Sequence, residues 1–410
     1  MLLAGILVLA SVVFGIGIYA CAPSISVAIA LPASFLVLHI GGSGGGNNLS
    51  VSDAILFIAT LCALPLMHLR GAVNLKRWMV LVAIYQATTL LSVVNSPNRF
   101  DAVEWFHQIL MVVGAALVGW VMVERSRVRI GFRGYLLISS VLSVWAMVLW
   151  IAHSLHPIAG LPYGLQKNTL GDLIVIAILA VHLAPTWIGF TDRWMGVLRY
   201  VCIAGVIATG SRQAMIGLVV AVFVVTLRDR RLLDRGAKSR KSVLMLLALA
   251  LIAAVVYTGL SDEIASHSHL NSLAVRSASY AQTLKIWHTS PLFGVGERYW
   301  YNGHFPGSFQ PPNAEIGMLA TGGMVGLAGF LVLVVGTLWM LWRLPSALGS
   351  LALAVMVAHV VEGQFDIFWV TATGSVPWII MGMTFALARQ SDARKIVHRP
   401  SAAVTGHKSL

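Results

Sequence analysis

At 410 residues, 58% of them hydrophobic and only 10% charged, the chain lacks the polar surface that a soluble fold of this size needs, and a bilayer is the solvent that fits. The net charge of +13 does not point to nucleic acid, because the basic residues are scattered over short breaks between apolar runs. The three cysteines, Cys21, Cys62 and Cys202, all fall inside apolar runs, which excludes a disulfide framework or cysteine metal cluster and leaves them as small packing residues.

Apolar runs near the length that spans ~30 Å of hydrocarbon recur in order at 1–20, 23–41, 53–67, 79–94, 105–123, 135–153, 171–187, 196–209, 213–227, 242–258, 314–341, 347–361 and 366–388. Pro23 and Pro32 leave open whether the first 41 residues cross once or twice. The expected fold is an all-α, polytopic integral membrane protein with about 12 transmembrane helices and one long external loop. The first run has no basic residue ahead of it and no small-residue cleavage site, so it is expected to belong to the mature protein.

Charge sets the orientation. If the 68–78 gap is cytoplasmic, every second gap joins it there, and those gaps with the tail hold 22 of the 28 basic residues. The other six, Arg99, Lys167, Arg212, Arg276, Lys285 and Arg298, fall on the external side, as do ten of the 15 acidic residues. The 228–241 loop and the tail after 388 are then cytoplasmic, and the long 259–313 segment is external. Cysteines introduced at Ser239 and Ser308 are expected to react with an impermeant thiol reagent from opposite sides. Reaction from the same side would overturn this topology.

Insertion explains cytoplasmic arginines but gives no reason to keep one outside. Arg212, in Ala208-Thr-Gly-Ser-Arg-Gln-Ala-Met215, sits in a break of a few residues between two apolar runs. An arginine at membrane level is a functional-site hypothesis by default, and snorkelling to lipid phosphate is the alternative. Arg276 lies in a stretch where Leu273, Tyr280, Leu284 and Trp287 recur at helical spacing, which predicts an amphipathic helix over 273–288 on the membrane face. A Gly- and Pro-rich turn, Ser290-Pro-Leu-Phe-Gly-Val-Gly296, follows, and then Trp300, Tyr301, Phe305 and Phe309, suited to a membrane interface or to stacking on sugar rings. His304, Glu315, His359, Glu362 and Asp366 lie near the same face. Each alone reads as a satisfied polar residue at a helix end, and only as a cluster beside Arg212 and Arg276 do they become candidate acids and bases.

Four pieces resemble, in order, the bacterial O-antigen ligase and polysaccharide polymerase superfamily of membrane glycosyltransferases: Lys167-Asn168-Thr169-Leu170-Gly171; Ser211-Arg212; Arg276 with Trp287 and Ser290 to Gly296; and Asn313 leading to Gly323-Met-Val-Gly-Leu327. They cover roughly residues 160–345. The resemblance implies a single membrane domain with variable spans over 1–158, a catalytic region over 159–345, C-terminal spans over 346–388 and a basic cytoplasmic tail over 389–410. It implies transfer of a glycan from a polyprenyl diphosphate carrier to an acceptor hydroxyl at the external face of the inner membrane, with inversion and without metal or cofactor. Arg212, Arg276 and Lys167 would hold the diphosphate, with Ser211, Asn313, Glu362 and Asp366 in support. The superfamily usually has a histidine before the Asn of its last motif, thought to assist the acceptor hydroxyl, and here Pro312 stands in its place. His304 or Glu315 is then the expected catalytic group, and polymerase is slightly favoured over ligase. The partners expected are the lipid-linked donor, a glycan or lipid-linked acceptor and membrane lipids, and no nucleic acid.

A secondary transporter is the main alternative, because a dozen spans in about 400 residues suits one. No internal repeat relates the halves, and a long external loop late in the chain fits a transporter poorly. A scaffold without catalysis would leave the external arginines unexplained.

Overall fold

The computed structural model describes residues 22–38, 49–96, 98, 100–154, 165–228, 272–301, 310–366 and 372–397. The runs expected at 1–20 and 242–258, Cys21 and His304 lie outside these residues. The described residues form helices and turns without a β-strand. In chain order the helices are α1 Pro23–Ala33, α2 Val51–Leu66, α3 Val73–Asn95, α4 Asp101–Glu124 with a π-helical stretch at Leu110–Gly114, α5 Val128–Ala152, α6 Lys167–Leu183, a one-turn helix at Pro185–Ile188, α7 Asp192–Thr209, α8 Arg212–Arg228, α9 Ser272–Trp287, α10 Ala314–Arg343, α11 Ser346–Glu362 and α12 Val376–Val397.

Among the described residues α3, α4, α5 and α10 are long and apolar enough to cross a membrane, and α1, α2 and α11 are shorter apolar helices. The 17-residue helices α6 and α8 rise about 26 Å each, a little short of the hydrocarbon thickness. Several boundaries differ from the sequence reading, among them the start of α5, at Val128 instead of 135. Helix α3 begins at Val73, so Lys76 and Arg77 sit in its opening turns instead of in a loop. Of the last expected run, 366–388, the part described from Ala372 onward is a 3-10 turn that passes into α12, and α12 continues to Val397. Hydropathy marks where side chains are apolar, and long basic side chains can open a helix while their heads reach the interface.

Local chemistry sets several ends. Ser50 and Asp53 form a reciprocal capping box at the start of α2. Asn313 caps α10 by accepting from the Ile316 N–H at 2.8 Å, and Gly210 stops α7 in the left-handed conformation. The core follows from helix position. From Leu170 to Val181 every side chain of α6 is buried, as for a helix surrounded by others, and α5, α7, α8 and α11 pack on it. Outward-facing Leu137, Val148, Val335 and Trp339 on α5 and α10 present the apolar surface that lipid covers. Cys62 and Cys202 are buried free thiols. Helices α3, α10 and α12 join where Trp78 stacks obliquely on Trp378 and donates its indole N–H to Thr337 Oγ1 at 3.0 Å.

The two ends of the bundle differ. At one, arginines close the ends of helices: Arg125 donates to the Leu66 carbonyl, Arg133 to those of Ile188 and Gly189, Arg228 to Leu344, and Arg389 to His68 and Arg70 while pairing with Glu124 at 2.9 Å. The other end carries Lys167, Arg212, Arg276 and Asp366, which follows α11.

Candidate functional site

The turn after α11, residues 363–366, is where three helix N-termini meet. Asn168, in the first turn of α6, donates to Asp366 Oδ2 at 2.8 Å. The start of α8 lies against α6, where the Ser211 side chain packs on Gly171, and α8 runs along α11 with Gly217 against the Glu362 carboxyl. At the start of α10, the Ala314 N–H donates to the Gly363 carbonyl at 2.8 Å, Asn313 donates to Gln364 Oε1 at 3.1 Å, and Gln364 gives its amide to both Glu315 oxygens at 2.8 Å. Helix N-termini carry unsatisfied N–H groups and partial positive charge, so three of them around one turn favour an anion.

The cations expected from the sequence border this turn. Lys167 and Arg212 open α6 and α8 and are half-buried. Arg276, on α9, is half-buried with its guanidinium 5.8 Å from the centre of the Phe365 ring. Helix α9 occupies the residues expected for it and is anchored by the Tyr280 hydroxyl, which donates to the Pro312 carbonyl at 3.2 Å and the Gln364 carbonyl at 3.4 Å. Its inward face runs through Tyr280, Thr283 and Ile286, whereas Leu284, expected on the apolar stripe with Tyr280, is 40% exposed on another side. Ser211 is buried beneath Arg212, with the Ala214 N–H 3.5 Å from its Oγ.

Two of the glycine-containing motifs meet in one joint. Helix α10 breaks at Gly323, where φ is +66°. The break frees the carbonyls of Ala320 and Thr321 and the N–H groups of Met324 and Val325, which an unbroken helix would pair with one another. The 291–296 segment takes all four. Val295 and Gly296 donate to Ala320 and Thr321 at 3.0 and 3.1 Å, and Met324 and Val325 donate to Pro291 and Leu292 at 2.9 and 3.2 Å. Such close approach requires glycine on both sides: a Cβ at Gly294 (φ +73°) would lie 2.2 Å from the Thr321 oxygen, and one at Gly323 would lie 2.3 Å from the Leu292 oxygen.

Beyond this joint, Asp101 accepts from the Arg298 N–H at 2.8 Å, and the Arg298 guanidinium lies 3.9 Å from Glu104 and over the Phe100 ring. Arg298 thus fastens the loop to α4, which accounts for one of the six external basic residues without a substrate. Glu297 beside it lines a cavity of about 70 Å³ between α3, α4, α10 and α12, which Asn313 and Asp366 also border. Burial foremost, then the nearby Asp101 charge, lifts the Glu297 carboxyl to about 7, against hydrogen bonds from Gln108 and Thr321 that favour its ionised form.

The structure therefore gathers Lys167, Asn313, Glu315 and Asp366 around one turn and sets Arg276 on the ring of Phe365 within that turn. Glu362 is only 1% exposed and faces α8, a position for packing inside the bundle. Deeper still, Gln213 donates to Asp172 at 2.9 Å between α8 and α6. Sequence reasoning missed Gln364, Tyr280 and Phe365 as organisers of the site. Tyr280 shows in the sequence only as a member of a helical stripe, and nothing local marks any of the three for this role, because each acts through partners 30 or more positions away; the Tyr280 to Pro312 pair is the shortest of these, at 32. Residues 197–331 match the family model described as O-antigen ligase, a stretch that contains Ser211, Arg212, Arg276, Asn313 and Glu315 and leaves out Lys167, Glu362 and Asp366. No curated protein matches the chain.

Proposed function

We propose, for a chain that residues 197–331 place in the O-antigen ligase and polymerase superfamily, that it moves a glycan from a polyprenyl diphosphate carrier onto an acceptor hydroxyl. The observation that carries this reading is the turn at 363–366, bordered by three helix N-termini and by Lys167 and Arg276, with Arg212 opening one of those helices. Positive ends and cations at the rim of an apolar bundle suit a diphosphate whose lipid tail stays in the bilayer. In this reading Arg212, Arg276 and Lys167 hold the diphosphate. The guanidinium forks stabilise the charge that grows on the leaving group as the bond to the sugar's anomeric carbon breaks. Ser211, Asn313 and Asp366 keep the three helix starts in place. Attack from the face opposite the departing diphosphate inverts the anomeric centre, and no metal is needed because the cations are the protein's own.

The reading also places the site on the external side of a bacterial inner membrane, with about a dozen crossings counted over the whole chain. Purified protein in liposomes, given a polyprenyl diphosphate-linked glycan, acceptor and chelator, is expected to release polyprenyl diphosphate and form a new glycosidic bond of inverted configuration. Solute movement across the liposome without bond cleavage would instead favour a transporter.

A further inference from the structure

The cavity beside the turn is lined by the polar side chains of Gln108, Glu297, Asn313 and Asp366 and by apolar ones such as Met111, Val112 and Phe330, with room for a few water molecules or for one hydroxyl-bearing end of a larger ligand. Asn313 and Asp366 border it on the side of the anion site. Their partners, Gln364 and Asn168, belong to the turn at 363–366 and to the start of α6. Glu297 and Gln108 border it on the far side, and Trp378 contributes to the apolar part. The Tyr85 hydroxyl donates to Gln108 Oε1 at 2.8 Å, which commits the Gln108 carbonyl and leaves its amide for Glu297. Glu297 Oε1 is sealed from solvent and has no hydrogen-bond partner among the described residues. A buried carboxylate oxygen without a donor carries a desolvation cost that an incoming hydroxyl would relieve.

We propose that this cavity receives the acceptor hydroxyl and that Glu297 takes its proton. The inference rests on the glycosyl-transfer reading and fills the place left by Pro312. The acceptor oxygen forms its bond to the anomeric carbon as the carbon–oxygen bond to the diphosphate breaks. The electron pair of that bond leaves with the diphosphate, and the hydroxyl proton passes to the Glu297 carboxylate. Glu315 is less suited, because both its oxygens are held by the Gln364 amide and it does not line the cavity.

The groups that face Glu297 are Tyr85 from α3, Asp101 and Glu104 from α4, Arg298 beside it in the loop, and Asp366 after α11, with His107 paired to Glu104 and Asp53 behind them. Two acidic neighbours and burial oppose ionisation, so this carboxylate is half-protonated near neutral pH, where a general base works best.

The test is Glu297→Gln in the liposome assay, read beside Arg212→Ala. The variant is expected to lose on the order of a hundredfold or more in kcat while keeping the donor KM. Wild-type kcat should rise with pH through about 7 and then level, and the residual rate of Glu297→Gln should lack that rise. Stability gives a second readout. A carboxyl whose pKa is raised by folding contributes stability at low pH that is lost as pH climbs through about 7, so Glu297→Gln should melt higher than wild type at pH 8 and gain nothing at pH 5. Wild-type kcat or an unchanged pH profile in Glu297→Gln, with Arg212→Ala inactive, would overturn this assignment alone. Full transfer by Arg212→Ala would instead remove the donor site it depends on.

Discussion

Replacing Arg212 or Arg276 with alanine is expected to lower glycan transfer by at least about a hundredfold, with the protein still inserted and folded. Each guanidinium is half-buried at the rim of the bundle, outside its buried core, so little of the fold depends on them. The leaving group depends on them far more. Charge that develops on a diphosphate at the edge of a low-dielectric bundle is stabilised only by donors already fixed in place. Lysine at either position should recover part of the rate, because an ammonium keeps the charge and loses the planar fork. At Arg276 it also loses the flat face that lies on Phe365. The two guanidiniums should lie within about 10 Å of each other when one diphosphate is bound, close enough for bidentate contacts to both phosphates. Initial rates with purified variants in liposomes, and a structure with the polyprenyl diphosphate donor, check both parts. If the double alanine variant transferred glycan at the wild-type rate, both arginines would be lipid-phosphate anchors and the mechanism would be lost.

The second large effect is on stability. Gly294→Ala and Gly323→Ala are each expected to lower stability by at least about 2 kcal/mol and to reduce the yield of monodisperse protein. At both positions a left-handed backbone, which costs a side chain about 1–2 kcal/mol, coincides with a carbonyl oxygen well inside van der Waals contact. Relief requires the 291–296 segment to lift from α10, which would leave the Ala320 carbonyl and the Met324 and Val325 N–H groups unpaired and the Thr321 carbonyl with Ser92 alone. Gly196→Ala is the matched control: it lies within α7, a Cβ there meets nothing within 4 Å, and the change should be neutral or slightly stabilising. Melting curves in one detergent measure all three. A Gly323→Ala protein that melts with wild type would show that the break in α10 does not depend on this joint.

How far the sequence could be read follows from what lipid does to hydrophobic patterning. A helix start between Gly210 and Arg212, and a helix over 273–288, were legible because turn chemistry and polar residues mark them in any solvent. The faces of those helices were much less so. Lipid-facing and core-facing sides of a membrane helix are both apolar, and the polar stripe that orients a helix in water is missing. Leu284 and Tyr280 therefore looked alike as stripe members, yet Tyr280 turns to Gln364 and Leu284 turns outward. The break at Gly323 was hidden for a related reason: a glycine within an apolar run reads as helix interior until the segment that occupies the break is known. Glu297 was recognised only as one external acid among ten, because its cavity is assembled from two early helices, α3 and α4, and two late ones, α10 and α12, about 200 or more positions further along the chain.

The arginine-closed end of the bundle bears on a choice that insertion leaves open. A translocating segment is oriented by positive charge, and lysine and arginine serve that purpose about equally. This chain uses arginine for 21 of its 28 basic residues. Arg125, Arg133, Arg228 and Arg389 each reach a carbonyl at or just past the end of a helix; Arg133 reaches two through separate nitrogens, and Arg389 holds two carbonyls with one nitrogen while its other pairs with Glu124, a spread that a branched, planar donor meets and a single ammonium does not. The side chains counted for orientation while the chain is threaded are thus the latches that hold its ends once it has folded, and a lysine-for-arginine exchange would preserve the direction of threading while slackening the finished bundle.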